Sequence, residues 1–184
     1  MKKLFLMAAI AGAALAGCSK DKPEPKLKIG QEYQGGKIAY IDATGKHGLI
    51  AALEDQSTGI VWWNGSYIKT GTSLTAIGTG KSNTDVIAAA QGAGNYAANL
   101  CKSLNMGDYS DWFLPSLDEL SELCKNRIEI GGFDLSNTRY LSSTEHASAS
   151  ASVWVYHFRE SGVNSILQTT SKDNLSRVRA VRYF

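Results

Sequence analysis

The sequence predicts an α+β domain with strand pairs near both of its ends and helices in the middle. Three observations predict it: a hairpin pattern before residue 53, two helical patterns between residues 85 and 125, and β-branched and aromatic runs after residue 152. Segregated strands and helices of this kind are typical of α+β domains. The predicted domain covers residues 29–184, which is long enough to bury one hydrophobic core.

The first predicted element is a β-hairpin. Residues 37–41 alternate weakly, residues 48–53 form a compact apolar run, and the residues between them have the composition of a turn. Residues 64–84, which follow Trp62 and Trp63, are rich in Gly, Ser and Thr and show no periodicity. A loop of this length in a compact domain commonly has a function.

The next predicted element is a helix over residues 85–105. Gly92 and Gly94 are unfavourable inside it, but six side chains fall near one helical face: Ile87, Ala90, Ala97, Ala98, Cys101 and Leu104. A polar residue just before the helix is expected to cap it, the candidates being Ser82, Asn83 and Thr84.

A second helix is predicted to begin at Ser116. Ser116 and Glu119 have the spacing of a capping box, and Asp118 adds a negative charge near the helix start. Cys124 on this helix and Cys101 on the previous one both lie on apolar faces. The sequence leaves open whether they form a disulfide or remain two buried thiols.

The last third of the domain is predicted to be β-structure. Residues 153–158 are rich in β-branched and aromatic side chains, residues 166–170 form another candidate strand, and residues 177–184 alternate as one strand. Residues 142–152 are rich in Ser and Ala and are predicted to be a loop around Glu145 and His146.

The N-terminus has the features of an export signal. Two lysines precede an uncharged, mostly apolar run over residues 4–15, which is too short to span a bilayer. The motif Leu15-Ala16-Gly17-Cys18 resembles the lipobox of bacterial lipoproteins. That resemblance implies a signal peptide over residues 1–17, lipidation of Cys18, and a Pro-containing tether over residues 18–28.

The charge balance argues against nucleic acid as a partner. The chain has 19 Lys and Arg against 17 Asp and Glu, and two of the lysines belong to the predicted signal, so 19 − 2 leaves a neutral mature chain. Lys20-Asp21-Lys22 resembles surface-export signals of some Gram-negative lipoproteins. We therefore expect a cell-envelope protein anchored by lipid to the outer membrane, with exposure at the cell surface left open.

Several motifs together resemble the Lcl C-terminal domain family. They are Tyr33-Gln34-Gly35-Gly36-Lys37-Ile38, His47-Gly48-Leu49-Ile50-Ala51-Ala52, Gly78-Thr79-Gly80-Lys81-Ser82-Asn83-Thr84, Asp111-Trp112-Phe113-Leu114-Pro115-Ser116-Leu117-Asp118-Glu119-Leu120, Tyr140-Leu141-Ser142-Ser143-Thr144-Glu145 and Val178-Arg179-Ala180-Val181-Arg182. The chain departs from the family pattern at Leu141, where tryptophan is usual, and at Phe113 beside Trp112.

The resemblance implies a C-type-lectin-like domain. Such a domain has terminal antiparallel strands paired in one sheet, two helices, a second small sheet and long loops. Members are typically secreted or surface proteins that bind glycans or proteins, and the family as a whole implies no catalytic activity.

The residues themselves do not point to an enzyme. Gly80-Lys81-Ser82 lacks the earlier glycine of a phosphate-binding loop, because Thr75 stands in its place. The three histidines are scattered without metal-ligand spacing. Calcium remains open but is not predicted. Both cysteines lie on apolar helix faces, which favours structural use, so we expect no enzyme and no cofactor.

Two groups of residues are candidates for ligand binding. The first lies beside the long polar loop and consists of Trp62, Trp63, Asn64 and Tyr67, of which at least one tryptophan is expected in the core; the second consists of Arg139, Glu145 and His146. The predicted function is a lipid-anchored envelope module that recognises a glycan or a protein. The alternatives are a structural subunit of a surface assembly and an enzyme on a fold like that of the formylglycine-generating oxidases.

Overall fold

The structure is a computed structural model that describes residues 26–160 and 165–184. The predicted signal peptide, Cys18 and most of the tether therefore lie outside the described residues. Within the described residues the fold is α+β, as predicted, with two sheets and four helices. In chain order the elements are β1 (Glu32–Tyr33), β2 (Gly36–Ile41), β3 (Gly48–Ala51), β4 (Ser57–Ile60), α1 (Gly80–Gln91), α2 (Ala97–Lys102), α3 (Leu117–Lys125), α4 (Arg127–Ile130), β5 (Ser136–Glu145), β6 (Ser152–Arg159), β7 (Ile166–Ser171), β8 (Ser176–Val178) and β9 (Val181–Tyr183).

The first sheet joins the two ends of the domain. Its strand order is β1-β2-β3-β9, and every neighbouring pair is antiparallel. The predicted hairpin is β2 and β3, in which Ile38 faces Ile50. The last strand lies beside the hairpin, with Leu49 opposite Tyr183. The first and last strands therefore share one sheet, as expected, but they lie at its opposite edges and do not pair with each other.

The second sheet has the order β4-β8-β5-β6-β7. The predicted strands at residues 153–158 and 166–170 are confirmed as β6 and β7. Residues 142–145, predicted to begin a loop, instead complete β5 and are buried. The single strand predicted over residues 177–184 is wrong, because the chain leaves β8 in the second sheet and enters β9 in the first.

The helices differ from the sequence prediction at one place. The predicted helix over residues 85–105 is two helices, α1 and α2, and α1 already begins at Gly80. Helix α1 ends at Gln91 and is followed by Gly92, whose φ of 71° is in the left-handed region that favours glycine. Its N-cap is Thr79, without a side-chain capping bond. The expected capping by a residue at 82–84 is therefore wrong, since these residues lie inside the helix.

The predicted capping box of α3 is confirmed. The Ser116 hydroxyl accepts from the backbone N–H of Glu119, and the Glu119 carboxylate accepts from the backbone N–H of Ser116 at 2.8 Å. Two orphan donors at the helix start are thereby satisfied within a four-residue segment.

The two cysteines lie in separate parts of the core. Cys101 belongs to a cluster with Trp62, Tyr96 and Leu114. Cys124 belongs to a second cluster, whose other members include Phe113, Leu120, Leu123, Tyr140 and Phe158. Both thiols are buried and free. Of the two alternatives that the sequence left open, the structure has the buried thiols and not the disulfide.

Candidate functional site

The long loop, residues 64–79, is held against the domain by two buried carboxylates. The first is Glu145, whose side chain is 2% exposed. It accepts hydrogen bonds from the backbone N–H of Thr70 at 3.2 Å and of Gly71 at 2.9 Å. The sequence placed Glu145 in an open loop as a ligand contact. In the structure it ends β5 and faces the interior, so its role is to hold the loop.

Lys172 completes this buried arrangement. Its ammonium forms an ion pair with Glu145, is fully buried, and donates to the carbonyl of Ile68 at 2.7 Å. It also lies 4.6 Å from the ring centroid of Trp62, in cation–π geometry. A buried charge is tolerated when it is paired and hydrogen-bonded in this way. One lysine therefore connects the loop, β5 and the core.

Glu119 holds the other end of the loop. Its side chain is fully buried and accepts from the N–H of Gly78 at 2.8 Å and from the hydroxyl of Tyr183 at 2.7 Å. Between the two carboxylates, Asn83 and Thr144 donate to the carbonyl of Leu74 at 2.8 and 3.0 Å. The backbone of the loop is thus fixed along its length, although the loop has no regular secondary structure.

The two neighbouring tryptophans have different environments. Trp62 is in the core, 1% exposed, and its Nε1 donates to the carbonyl of Ser142 at 2.9 Å. Trp63 is half-buried and packs against Tyr67, with 4.2 Å between ring centroids and 36° between ring planes. Tyr67 is 48% exposed. Trp63 and Tyr67 together form a surface that we call the aromatic platform.

Polar groups border the aromatic platform on the side of β7. The Tyr67 hydroxyl lies 3.4 Å from the hydroxyl of Ser171. Hydrogen bonds from Ser171 and Tyr67 lower the pKa of the exposed Asp173 carboxyl below its ordinary value. The platform therefore combines two rings with a hydroxyl and an ionised carboxylate at its edge.

Asn64 has a structural role beside the platform. Its side-chain amide donates to the carbonyls of Gln91 at 3.0 Å and Ala93 at 2.8 Å, which satisfies acceptors at the end of α1. Its backbone N–H donates to the Gln91 side chain at 2.6 Å. Asn64, which the sequence predicted to contact a ligand, therefore uses its side-chain nitrogen to hold the start of the loop.

The second predicted group does not form one open patch. Arg139 donates to the Thr170 hydroxyl at 3.1 Å across the second sheet, while Glu145 faces the interior. His146 is half-buried, with its ring centroid 5.2 Å from that of Trp154. These residues support the sheet and the loop from different sides.

Sequence reasoning did not identify Lys172 and Asp173, nor the buried arginines near the C-terminus. The fully buried Arg179 donates to the Asp55 carboxylate at 2.8 Å and to the Ala52 carbonyl at 3.0 Å. Arg182 pairs with Asp111 at 2.6 Å. The available signal was the alternation of arginine with apolar residues in an otherwise core-like strand, which indicates arginines that need buried acceptors.

Neither a metal site nor a reactive thiol is found in the part of the chain that the structure describes. It contains no group of three or more His, Cys, Asp or Glu side chains placed to hold an ion. Complete burial raises the pKa of the Cys101 thiol far above its ordinary value, and burial also raises that of Cys124. No helix in residues 26–160 or 165–184 is long and apolar enough to cross a membrane.

Two sheets, four helices and a long surface loop held by buried carboxylates form a small α+β domain within the described residues. The family model of the Lcl C-terminal domain matches residues 51–182, and the chain belongs to that family. Comparison with curated proteins gives no match. Among solved structures, a fimbrial protein from Bacteroides ovatus ATCC 8483 is similar at 16% identity and a TM-score of 0.47. The alignment covers 73% of this chain and 35% of that protein, so this chain spans about a third of its length.

Proposed function

We propose that this protein is a non-catalytic, lipid-anchored binding module of the bacterial outer membrane that recognises a glycan through Trp63 and Tyr67. The observation that carries the proposal is the aromatic platform, which is exposed to solvent while the loop beneath it is fixed. Tryptophan and tyrosine present large apolar faces together with polar atoms, and both lose little conformational freedom on binding. The Asp173 carboxylate beside them is an acceptor for sugar hydroxyls.

Preorganisation is the second argument for binding at this place. A flexible loop would have to be ordered when a ligand binds, at a cost of about 0.5–1.5 kcal/mol for each immobilised side chain. Here Glu145 and Lys172 already hold the backbone next to Tyr67 at three points. The ordering cost is therefore met when the domain folds.

The proposal includes a lipid anchor at Cys18 and a C-type-lectin-like fold. The lipobox-like motif and the short apolar run before it support lipidation of Cys18 and an envelope location. The presence of the first and last strands in one sheet and the long loop beside the second sheet support a C-type-lectin-like domain. Burial of both cysteines, which raises their pKa values, supports a non-catalytic role.

A glycan array probed with the full-length protein in lipid nanodiscs tests the proposal. We expect Tyr67→Ala to abolish binding to the glycans that the wild type retains, because the substitution removes one ring of the platform. Ile128→Ala is the matched control, since Ile128 is 49% exposed on α4 and Tyr67 is 48% exposed. Equal retention by both variants, or no retained glycan, would contradict the proposal; a protein captured through Tyr67 would redirect it to a protein ligand.

A structural subunit of a surface assembly is the second candidate function. One observation favours it: in the described part of the chain, β7 is the outer strand of its sheet, and Leu167 on it is 43% exposed. An outer strand presents unpaired backbone groups to which another strand can add. A homogeneous oligomer in light scattering, with unchanged mass after Tyr67→Ala, would support this alternative.

A further inference from the structure

A second pocket lies on the first sheet, separate from the aromatic platform. It lies between the β2–β3 turn, the end of the long loop and the C-terminal strand, and its volume is about 450 Å³. Six side chains matter here: Tyr40, Asp42, His47, Ile77, Tyr183 and Phe184. The volume is within the range of small-molecule sites. We call it the Tyr40 pocket.

Three aromatic rings line the Tyr40 pocket, and two of them are fixed from behind. Tyr183 packs on Phe113 with 4.6 Å between ring centroids, and Phe184 meets the ring of Tyr33 edge-on at 5.4 Å. Tyr40 is half-buried, and its hydroxyl has no hydrogen-bond partner among the described residues. The pocket therefore has aromatic walls that do not need to be ordered by a ligand.

The charges at the pocket are negative. The Asp42 Oδ1 atom accepts from the N–H and hydroxyl of Thr44 and from the N–H of Gly45, at 2.7–3.0 Å. The Thr44 hydrogen bond contributes most to lowering the pKa of Asp42 below its ordinary value. A hydrogen bond from the backbone of His47 also lowers this pKa, and the Asp42 side chain lines the pocket.

A second carboxylate lies directly behind the aromatic wall. Glu119 is fully buried and accepts from Gly78 and Tyr183, both of which line the pocket. Within residues 26–160 and 165–184, neither Glu119 nor Asp42 forms an ion pair with a lysine or arginine, whereas the buried Glu145 has Lys172. Burial and the nearby Glu119 charge both raise the pKa of Tyr183, which keeps its phenol neutral.

Aromatic walls with uncompensated negative charge match one class of ligand. A cation is attracted by the negative faces of aromatic rings, with more effect when water is excluded, and by carboxylates. An anionic group would be repelled by both carboxylates. Because Glu119 is buried, its charge can act on a ligand only at a distance. That charge attracts a cation but adds nothing to the binding of a neutral sugar. We therefore propose that the Tyr40 pocket binds an organic ammonium group, carried by a small quaternary amine or by a lysine side chain of a partner.

Two probes test the shared chemistry and distinguish its sources. Choline represents the small quaternary amine, and Nα-acetyl-lysine methylamide represents the lysine side chain. 3,3-Dimethyl-1-butanol is the matched neutral control, since it has the shape of choline without its charge. Each is titrated by NMR into the isotope-labelled, full-length protein in a polyoxyethylene detergent. Tighter binding of choline assigns the small amine, and tighter binding of the lysine probe assigns a protein partner.

Substitutions locate the binding and separate it from stability. Asp42→Asn removes the charge but keeps an acceptor for the turn, and is expected to weaken ammonium binding at least tenfold. Tyr40→Leu should weaken it to a similar degree, whereas Tyr40→Phe keeps the ring and should change it less than threefold. Tyr67→Ala should leave it unchanged, because the aromatic platform shares no residue with the pocket.

Three results would overturn the inference. They are equal binding of choline and its neutral analogue, absence of binding by both ammonium probes, and unchanged affinity in Asp42→Asn with the wild-type melting temperature. Because the variants and probes differ from those of the glycan experiment, failure of either proposal leaves the other standing.

Discussion

Replacement of Lys172 by methionine tests whether the buried ion pair holds the long loop. Methionine has nearly the length of lysine and can still cover the ring of Trp62, but it cannot pair with Glu145 or donate to the Ile68 carbonyl. Breaking a buried pair by removing one partner costs about 3–5 kcal/mol, because the other charge is left uncompensated. In a domain of this size that corresponds to a fall in melting temperature of about 6–20 °C.

The double variant Lys172→Met/Glu145→Gln measures the pairing itself. Glutamine keeps an oxygen that can accept from the N–H groups of Thr70 and Gly71, and it carries no charge to be left uncompensated. We expect the double variant to be more stable than Lys172→Met alone, with a coupling energy of about 0.5–3 kcal/mol. Urea unfolding followed by tryptophan fluorescence gives both free energies.

Lys102→Met is the matched control for that experiment. Lys102 is also paired, with Asp85 at 2.5 Å, but the two side chains are 50% and 44% exposed. Exposed pairs contribute about 0–1 kcal/mol. The reasoning is refuted if Lys172→Met costs no more than Lys102→Met, or if the effects of Lys172→Met and Glu145→Gln simply add.

Two further predictions concern titrating groups. Hydrogen bonds from Ser136 lower the pKa of Asp134 from an unfolded value near 3.8 to about 2. The ionised carboxylate therefore stabilises the folded state above pH 3.8, and this contribution to stability is lost as the pH falls towards 2. Asp134→Asn should flatten the acid limb of a stability–pH curve, and an unchanged limb would contradict the assignment. Cys101 and Cys124 are expected to resist Ellman's reagent in the folded protein and to react as two thiols in denaturant. An intact mass about 2 Da lower than that of the reduced chain would show a disulfide and contradict this prediction.

The elements that the sequence predicted correctly are those fixed by neighbouring residues. The β2–β3 hairpin needs only a turn between two apolar runs, and the capping box needs only Ser116 and Glu119. The predicted start of the first helix was wrong because Gly80 looked like part of a loop. In the structure a side chain at Gly80 would collide with Glu119, so glycine is required by a contact from α3 that local sequence does not contain.

The division of the last strand was hidden from the sequence for a similar reason. Residues 177–184 alternate as one strand would, but Arg179 and Ala180 lie between the two sheets. Arg179 is accommodated there because Asp55 and the Ala52 carbonyl, over 120 positions earlier in the chain, accept its hydrogen bonds. Such partners are known only once the fold is known.

The residues that carry the family resemblance differ from those of the aromatic platform. Glu119, Glu145 and Arg179 lie in the family motifs, and their polar atoms are used inside the fold to hold the long loop and to join the sheets. Tyr67 and Asp173, which are exposed at the aromatic platform, lie outside those motifs. Membership of the Lcl C-terminal domain family therefore accounts for the residues that hold the loop and join the sheets, whereas the binding that we propose for the aromatic platform depends on side chains outside the motifs. A search for the ligand should accordingly start from the surface chemistry of this chain rather than from ligands of other members.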